Sequence, residues 1–232
     1  MRVIRLDSID STNLEAQRRA ASGERGPLWI VAGEQTAGRG RLGRTWVSKP
    51  GNVYSTLIWP TAAPPQALSQ LSFVAALAAC DAASKFAAPG DISLKWPNDC
   101  LLKGAKFSGI LVESLGSGLV AIGIGINVAH VPDDLPYRAA RLDKTTAEDV
   151  FRELVQFLAQ WLATWNEGRG FAAIVKAWEA RCQHIGKPVT VDGEQGTFAG
   201  LASDGALLLK RSNGIVKPVY AGDVRVEYQP AT

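Results

Sequence analysis

Two periods of apolar residues alternate along this chain, and they outline its elements. Residues 12–22, TNLEAQRRAAS, place Thr12 and Glu15 at capping-box spacing and stop at Gly23, which predicts a short helix. Residues 27–35 and 52–60 are apolar runs of strand length, the second ended by Pro60. Residues 65–86 predict a helix rich in small side chains, suited to close packing on a sheet. Residues 91–96, 107–115 and 118–128 read as strands, the last two joined through Gly116-Ser117-Gly118 as an antiparallel hairpin. Residues 130–136 read as a loop, and Thr145 and Glu148 make a second capping box. The helix that follows sets Val150, Phe151, Leu154, Phe157, Leu158, Trp161, Leu162 and Trp165 on one broad face. A further helix covers residues 171–183.

Near residues 185–186 the pattern changes to short strands with turn residues about every eight positions, the mark of a small all-β module. This divides the chain into residues 1–185 and 186–232. Of 232 residues 47% are hydrophobic, enough for a sizeable core, and the net charge of +3 demands no nucleic acid. Three widely spaced cysteines indicate neither a disulfide framework nor a zinc site and predict a reducing compartment. No apolar run approaches the roughly 20 residues of a membrane span, and the first ten residues lack a signal peptide's apolar stretch. A cytoplasmic protein with no membrane partner is expected.

Charge is uneven. No acid occurs between Glu34 and Asp81, whereas Arg39, Arg41, Arg44 and Lys49 do. The segment QTAGRGRLGRTW, residues 35–46, interleaves three arginines with Gly38, Gly40 and Gly43. Its G-x-G-x-x-G spacing matches a dinucleotide fingerprint, but Pro50-Gly51 follows instead of a helix, and the ribose-binding acid is missing. No Walker lysine follows either. Guanidinium groups bind carboxylates and phosphates in pairs, and glycines let a loop fold over a ligand. A bound anion is the reading preferred over a solvated basic turn.

A second cluster is KWPND with the strand after it. Lys95 ends a strand, Pro97 forces a turn, and Asn98 and Asp99 are expected on its exposed tip; Lys106 begins the next strand through Gly109. Such groups at neighbouring strand ends suit a phosphate chain and a metal-bound oxygen. In GIGIN, Gly123 and Gly125 alternate with apolar residues and deliver Asn127 to a strand end.

With STN, QTAGRGRLGRTW, KWPND, KFSGILVE and GIGIN in this order, the chain resembles the biotin protein ligases, the biotin–[acetyl-CoA carboxylase] ligases, from Ser11 through about Asn127. GALLLKRSNGIVKPVYAGDV resembles that family's terminal module. The resemblance implies an α+β fold: a mixed, mainly antiparallel sheet with packed helices, of the class II synthetase-like biotin/lipoate ligase type, plus a small C-terminal SH3-like β-barrel. It implies ATP with Mg²⁺, biotin as substrate, biotinoyl-5′-AMP as intermediate, and a lysine of a biotin carboxyl carrier protein as acceptor.

By motif position, Ser11, Thr12 and Gln35 would meet the ring system of biotin, Gly38 and Arg39 its side chain and carboxylate. Arg41 and Arg44 would meet carboxylate and phosphates, Trp46 the adenine, Lys95 and Asn98 the phosphates and Mg²⁺. Lys106 would bridge carboxylate and α-phosphate, Gly109 would admit the ligand to its backbone, and Asn127 would meet adenine or ribose. Asp99 would orient the acceptor lysine and take its proton, since His130 and His184 lie outside every motif. Ser11 and Thr12 also read as helix caps. Many relatives begin with a DNA-binding winged helix; here the chain starts at the catalytic domain, so no DNA partner is expected, and a monomer or weak homodimer is.

Two other classes compete. A lipoate–protein ligase shares the fold and the adenylate chemistry, but the arginine loop and KWPND favour biotin. A small basic nucleic-acid-binding protein would need interleaved aromatics, whereas Phe198, Tyr220 and Tyr228 are scattered.

Overall fold

The computed structural model describes residues 1–132 and 135–226; Tyr228 and residues 133–134 of the expected loop lie outside them. Seven strands form the first sheet: β1 (Arg2–Ile9), β2 (Leu28–Gln35), β3 (Val53–Pro60), β4 (Ile92–Lys95), β5 (Asp99–Leu102), β6 (Ala105–Gly116) and β7 (Leu119–Ile126). Their order is β1-β2-β3-β7-β6-β5-β4. The β1–β2 pair is parallel and the other pairs are antiparallel. The second sheet holds β8 (Pro188–Val191), β9 (Glu194–Leu201), β10 (Leu207–Lys210), β11 (Val216–Val219) and β12 (Val224–Val226), in the order β11-β10-β9-β8-β12 and antiparallel throughout. The helices are α1 (Thr12–Ala21), α2 (Leu71–Ala83), α3 (Ala147–Trp165) and α4 (Phe171–Glu179).

Strand alternation gives the first sheet two faces. On β2, Trp29 joins the core beneath α2 and α3, while Leu28 and Ile30 pack with Ala16 of α1 on the other side. On β7, Val120, Ile122, Ile124 and Ile126 enter the α2 core, so Gly123 and Gly125 lie on the α1 face. The small residues of α2 are almost all buried, which lets its backbone lie close to β4–β7 and α3. Each large apolar side chain buried this way stabilises the fold by roughly 1.5–3 kcal/mol. The same core continues through Phe171 and Trp178 of α4, both edge-on to Phe73, into Val189, Phe198 and Leu209 of the second sheet.

The hairpin of β6 and β7 forms as expected, with Gly116 opposite Leu119. Several elements differ from expectation. No sequence pattern predicts β1, because it is a sheet edge whose positions are all exposed or half-buried. The segment 65–86 is a 3₁₀ stretch, Pro65–Gln70, followed by α2, since the proline-led start does not carry the α-helical bonds. The second capping box is shifted by one residue: Thr146 accepts the Asp149 backbone N–H at 3.2 Å, while Glu148 pairs with Arg5. The first capping box is absent. No side-chain bond caps α1, Glu15 binds Arg18 and Arg19, and the Thr12 N–H goes to Gln35 Oε1 at 2.8 Å. Asp10, beside Arg18 and held by it at about pKa 2, accepts the Ser11 N–H instead. The Thr12 hydroxyl is thereby left to the sheet face, where it meets Gln35 and Thr56, rather than to the helix end.

Candidate active site

The α1 face of the first sheet opens into a cavity of ≈ 330 Å³, closed over by residues 39–46 and reached by Val224 of β12 and by Asp223 just before it. Its floor is β6 and β7, where Gly109 stands opposite Gly125 and Leu111 opposite Gly123. The glycines have a steric cause. A Cβ on Gly125 would lie 2.6 Å from Trp46 Nε1, and one on Gly109 would lie 3.1 Å from the same ring. A Cβ on Gly123 would overlap Asn13 Oδ1. The bare patch therefore seats the Trp46 indole and the Asn13 amide.

Lys106 reaches the cavity through a β-bulge. Cys100 pairs with Ser108, but Leu101 pairs with Lys106, so Phe107 is the inserted residue. Phe107 and Ser108 are both fully buried, and Lys106 turns to the side of Gly109 and Asp99. A bulge re-aims a side chain in this manner. Lys106 Nζ lies 2.6 Å from Asp99 Oδ1, 5.6 Å from the Trp46 ring centre and 5.4 Å from that of Tyr137. Asp99 opens β5 opposite Lys95 and Gly109. It and Asn98 are therefore not on an exposed tip: Asn98 is buried, donating from Nδ2 to the Ile110 carbonyl at 2.7 Å and accepting from Arg41 at 3.0 Å.

The arginine loop is a small closed turn. Gly40 N–H donates to the Arg44 carbonyl at 2.7 Å, Trp46 N–H to the Gly38 carbonyl at 2.9 Å, and Arg41–Gly43 make one 3₁₀ turn. No α-helix follows it, which separates it from a dinucleotide loop. Each arginine has its own partner: Arg39 pairs with Glu113 at 3.1 Å, Arg41 binds Asn98, and Arg44 pairs with Asp223. Hydrogen bonds from Arg44 hold the Asp223 carboxyl below the usual carboxylate range, and Asp223 raises the Arg44 pKa in turn.

Ser11, Thr12 and Gln35 line the other end of the cavity, and Lys95, Asn98 and Asp99 line the end near Arg41, Arg44 and Lys106. Gly38 and Asn127 are the two expected site residues absent from its wall. Gly38 sits under Trp46 and Ser48, where a Cβ would overlap the Trp46 carbonyl. Asn127 donates to the Ala140 carbonyl at 3.1 Å and borders a separate small cavity behind Trp46. Asn13, Tyr54, Tyr137 and Asp223 line the main cavity without having been picked from the sequence. Asn13 had a signal in its place in STN, and Asp223 one in its place in GALLLKRSNGIVKPVYAGDV; that Asp223 meets Arg44, 179 residues away, had none. Phe198 is buried in the core and unavailable for stacking on a base. Neither His130 nor His184 is on the wall.

A family model described as the biotin/lipoate A/B protein ligase family matches residues 4–128, and one for the biotin protein ligase C-terminal domain matches residues 184–226. The chain belongs to this family. It is 42% identical to a biotin–[acetyl-CoA-carboxylase] ligase of Paracoccus denitrificans, over 90% of this chain and 94% of that one. It is 35% identical to the bifunctional ligase/repressor BirA of Bacillus subtilis, over 95% of this chain and 72% of that one. Among solved structures, the biotin protein ligase from Aquifex aeolicus in complex with biotin and ATP superposes with a TM-score of 0.82, at 28% identity, covering 97% of this chain and 99% of that one. The mixed, mainly antiparallel α+β architecture with its C-terminal sheet is that of these ligases. No helix among the described residues is long and apolar enough to cross a membrane.

Proposed function

We propose that the chain is an ATP-dependent biotin ligase, which activates biotin as biotinoyl-5′-AMP and passes it to a lysine of the biotin carboxyl carrier protein of acetyl-CoA carboxylase. The observation that carries this is one cavity with two chemistries: neutral hydroxyl and amide groups at one end, and Arg41, Arg44, Lys95 and Lys106 at the other. A neutral polar ring system with a carboxylate tail suits the first end and reaches toward the second. A triphosphate suits the second.

In the first step a biotin carboxylate oxygen bonds to the α-phosphorus, and the bond to the β-phosphate oxygen breaks, releasing pyrophosphate. Lys106 and Arg41 offset the charge that gathers between two anions, a role fixed cations fill well in a site closed from water. Holding both reactants on one sheet face supplies much of the remaining rate. Mg²⁺ would neutralise phosphate charge. Among the described residues no group of three or more acidic or thiol/imidazole side chains could hold it. That fits an ion carried mainly by phosphate oxygens, with Asn98 beside it. In the second step the acceptor amine bonds to the carbonyl carbon, AMP leaves, and a proton departs from nitrogen; in this reading Asp99 takes it.

The same reading assigns residues 1–185 to catalysis and residues 186–232 to a supporting barrel, and sets the protein in the cytoplasm, with no DNA partner and as a monomer or weak dimer. The free thiols of Cys80, Cys100 and Cys182 suit a reducing compartment. Lipoate is disfavoured because its dithiolane ring offers nothing to the Ser11, Thr12 and Gln35 end. Exchange of labelled pyrophosphate into ATP, measured with biotin, with lipoate and with neither, tests the proposal. Biotin-dependent exchange supports it; exchange with lipoate alone, or none, rejects it.

A further inference from the structure

Behind the cavity floor runs a chain of hydrogen bonds whose direction is forced from one end. The Glu113 carboxylate accepts from Asn13 Nδ2 at 2.7 Å and from Arg39 at 3.1 Å. A carboxylate only accepts, so the Asn13 amide must turn its nitrogen to Glu113 and its oxygen to Thr56. Thr56 Oγ1 donates to Asn13 Oδ1 at 2.6 Å, which uses the one proton of that hydroxyl. Thr56 Oγ1 also lies 2.8 Å from Thr12 Oγ1, where it is left with lone pairs alone.

The other neighbour of Thr12 is fixed as well. Gln35 Oε1 accepts the Thr12 backbone N–H at 2.8 Å, and Gln35 Nε2 donates to Ser48 Oγ at 2.9 Å, whose own proton goes to the Trp46 carbonyl at 2.9 Å. The amide is held in one orientation, and Oε1 lies 3.1 Å from Thr12 Oγ1. Both groups facing the Thr12 hydroxyl from inside the protein can only accept. Its proton is spent inward, and a lone pair is what it shows the cavity. Thr56 is fully buried, and neither it nor Glu113 is on the cavity wall. Gly123 keeps room for the Asn13 amide, since a Cβ there would overlap Asn13 Oδ1.

We propose that Glu113, Asn13 and Thr56 are positioning residues that, together with Gln35 Oε1, hold Thr12 as a hydrogen-bond acceptor toward the cavity, so that the cavity floor selects a ring bearing an N–H donor over one of equal shape without it. This rests on the biotin reading, because the urea of biotin supplies such donors. It adds Thr56 and Glu113, which stand off the cavity wall behind Thr12 and Asn13. A site built to receive an N–H rejects a ligand lacking it strongly, since the buried lone pair is left unpaired.

The test compares the full chain with Thr56→Val, which keeps shape and removes the hydroxyl, and with Thr56→Ser, which keeps the hydroxyl. Pyrophosphate exchange is read with biotin and with two analogues, each methylated on one urea nitrogen. The expected result in Thr56→Val is a KM for biotin raised on the order of tenfold, an unchanged KM for ATP, and a preference for biotin over the better-discriminated analogue reduced by a similar factor. Thr56→Ser restores both. A biotin KM and preference within twofold of the unaltered chain overturn the proposal. So does a loss that affects both substrates, lowers Tm and is not rescued by serine, because Thr56 is then only part of the fold. If valine prevents folding, Thr56→Ala is read by the same criteria. Absence of biotin-dependent exchange in the unaltered chain would instead remove the function on which this rests.

Discussion

Lys106 meets Asp99 because one residue, Phe107, is inserted in β6. The chemistry of both side chains was legible in the sequence, as was that of Arg41 and Lys95, because charge type is written in the residue. Their convergence was not, because a bulge is a property of two strands paired in a register. Lys106→Ala and Arg41→Ala are expected to lower biotin adenylation by about 10²–10³-fold while leaving the circular dichroism spectrum intact, as loss of a transition-state cation does. Near-normal exchange in either folded variant would remove it from the first step. Asp99→Asn is expected to slow the second step more than the first, by about 10²–10⁴-fold if a proton acceptor is lost. Single-turnover transfer from preformed adenylate to apo carrier protein, followed across pH, decides this; unchanged transfer would return Asp99 to the first step or to the fold.

At the scale of elements, the arginine loop was recognisable from its glycines and arginines, and its two-sided anchoring was not. Trp46 is seated on Gly109 and Gly125, whereas Arg39 and Arg44 are tethered to Glu113 and Asp223 on different elements. Both arginines are partly exposed, and ion pairs of such side chains stabilise by only about 0–1 kcal/mol. The tethers are therefore weak enough for phosphate and carboxylate to replace. Amides of residues 36–46 are expected to exchange with solvent rapidly in the free protein and to gain protection with biotinoyl-AMP bound, as hydrogen exchange read by mass spectrometry would show. Equal protection in both states would make the loop a static wall. The same limit explains β1 and the first capping box: an exposed edge and a hydroxyl drawn to Gln35 leave no periodic trace in the sequence.

Across the whole molecule, the second sheet shares a core with the first, and His184 lies buried near this junction with its Nδ1 unpartnered among the described residues. Burial first, then the charges of Lys95 and Lys187, pull its pKa down to about 4. Above the unfolded value near 6.5 the ring is neutral in both states and nothing is lost. As pH falls from there toward 4, the unfolded chain takes a proton that the folded one refuses, so stability drops, by on the order of 2–3 kcal/mol. Urea unfolding at pH 7.5 and 4.5 is expected to show this loss, and His184→Leu to reduce it; an equal loss in the variant would place its origin elsewhere. The sequence by itself determined the class of elements, the change of pattern near residues 185–186, and the residue types around an anion, because periodicity, turn chemistry and charge are local. Only the tertiary structure decided that Asp223 reaches Arg44, that Asn13 and Glu113 back the cavity floor, and that Gly38 and Asn127 stand off its wall. Those outcomes depend on bulge, register and steric fit between segments that lie from a few to 179 residues apart, and no local pattern encodes a distance.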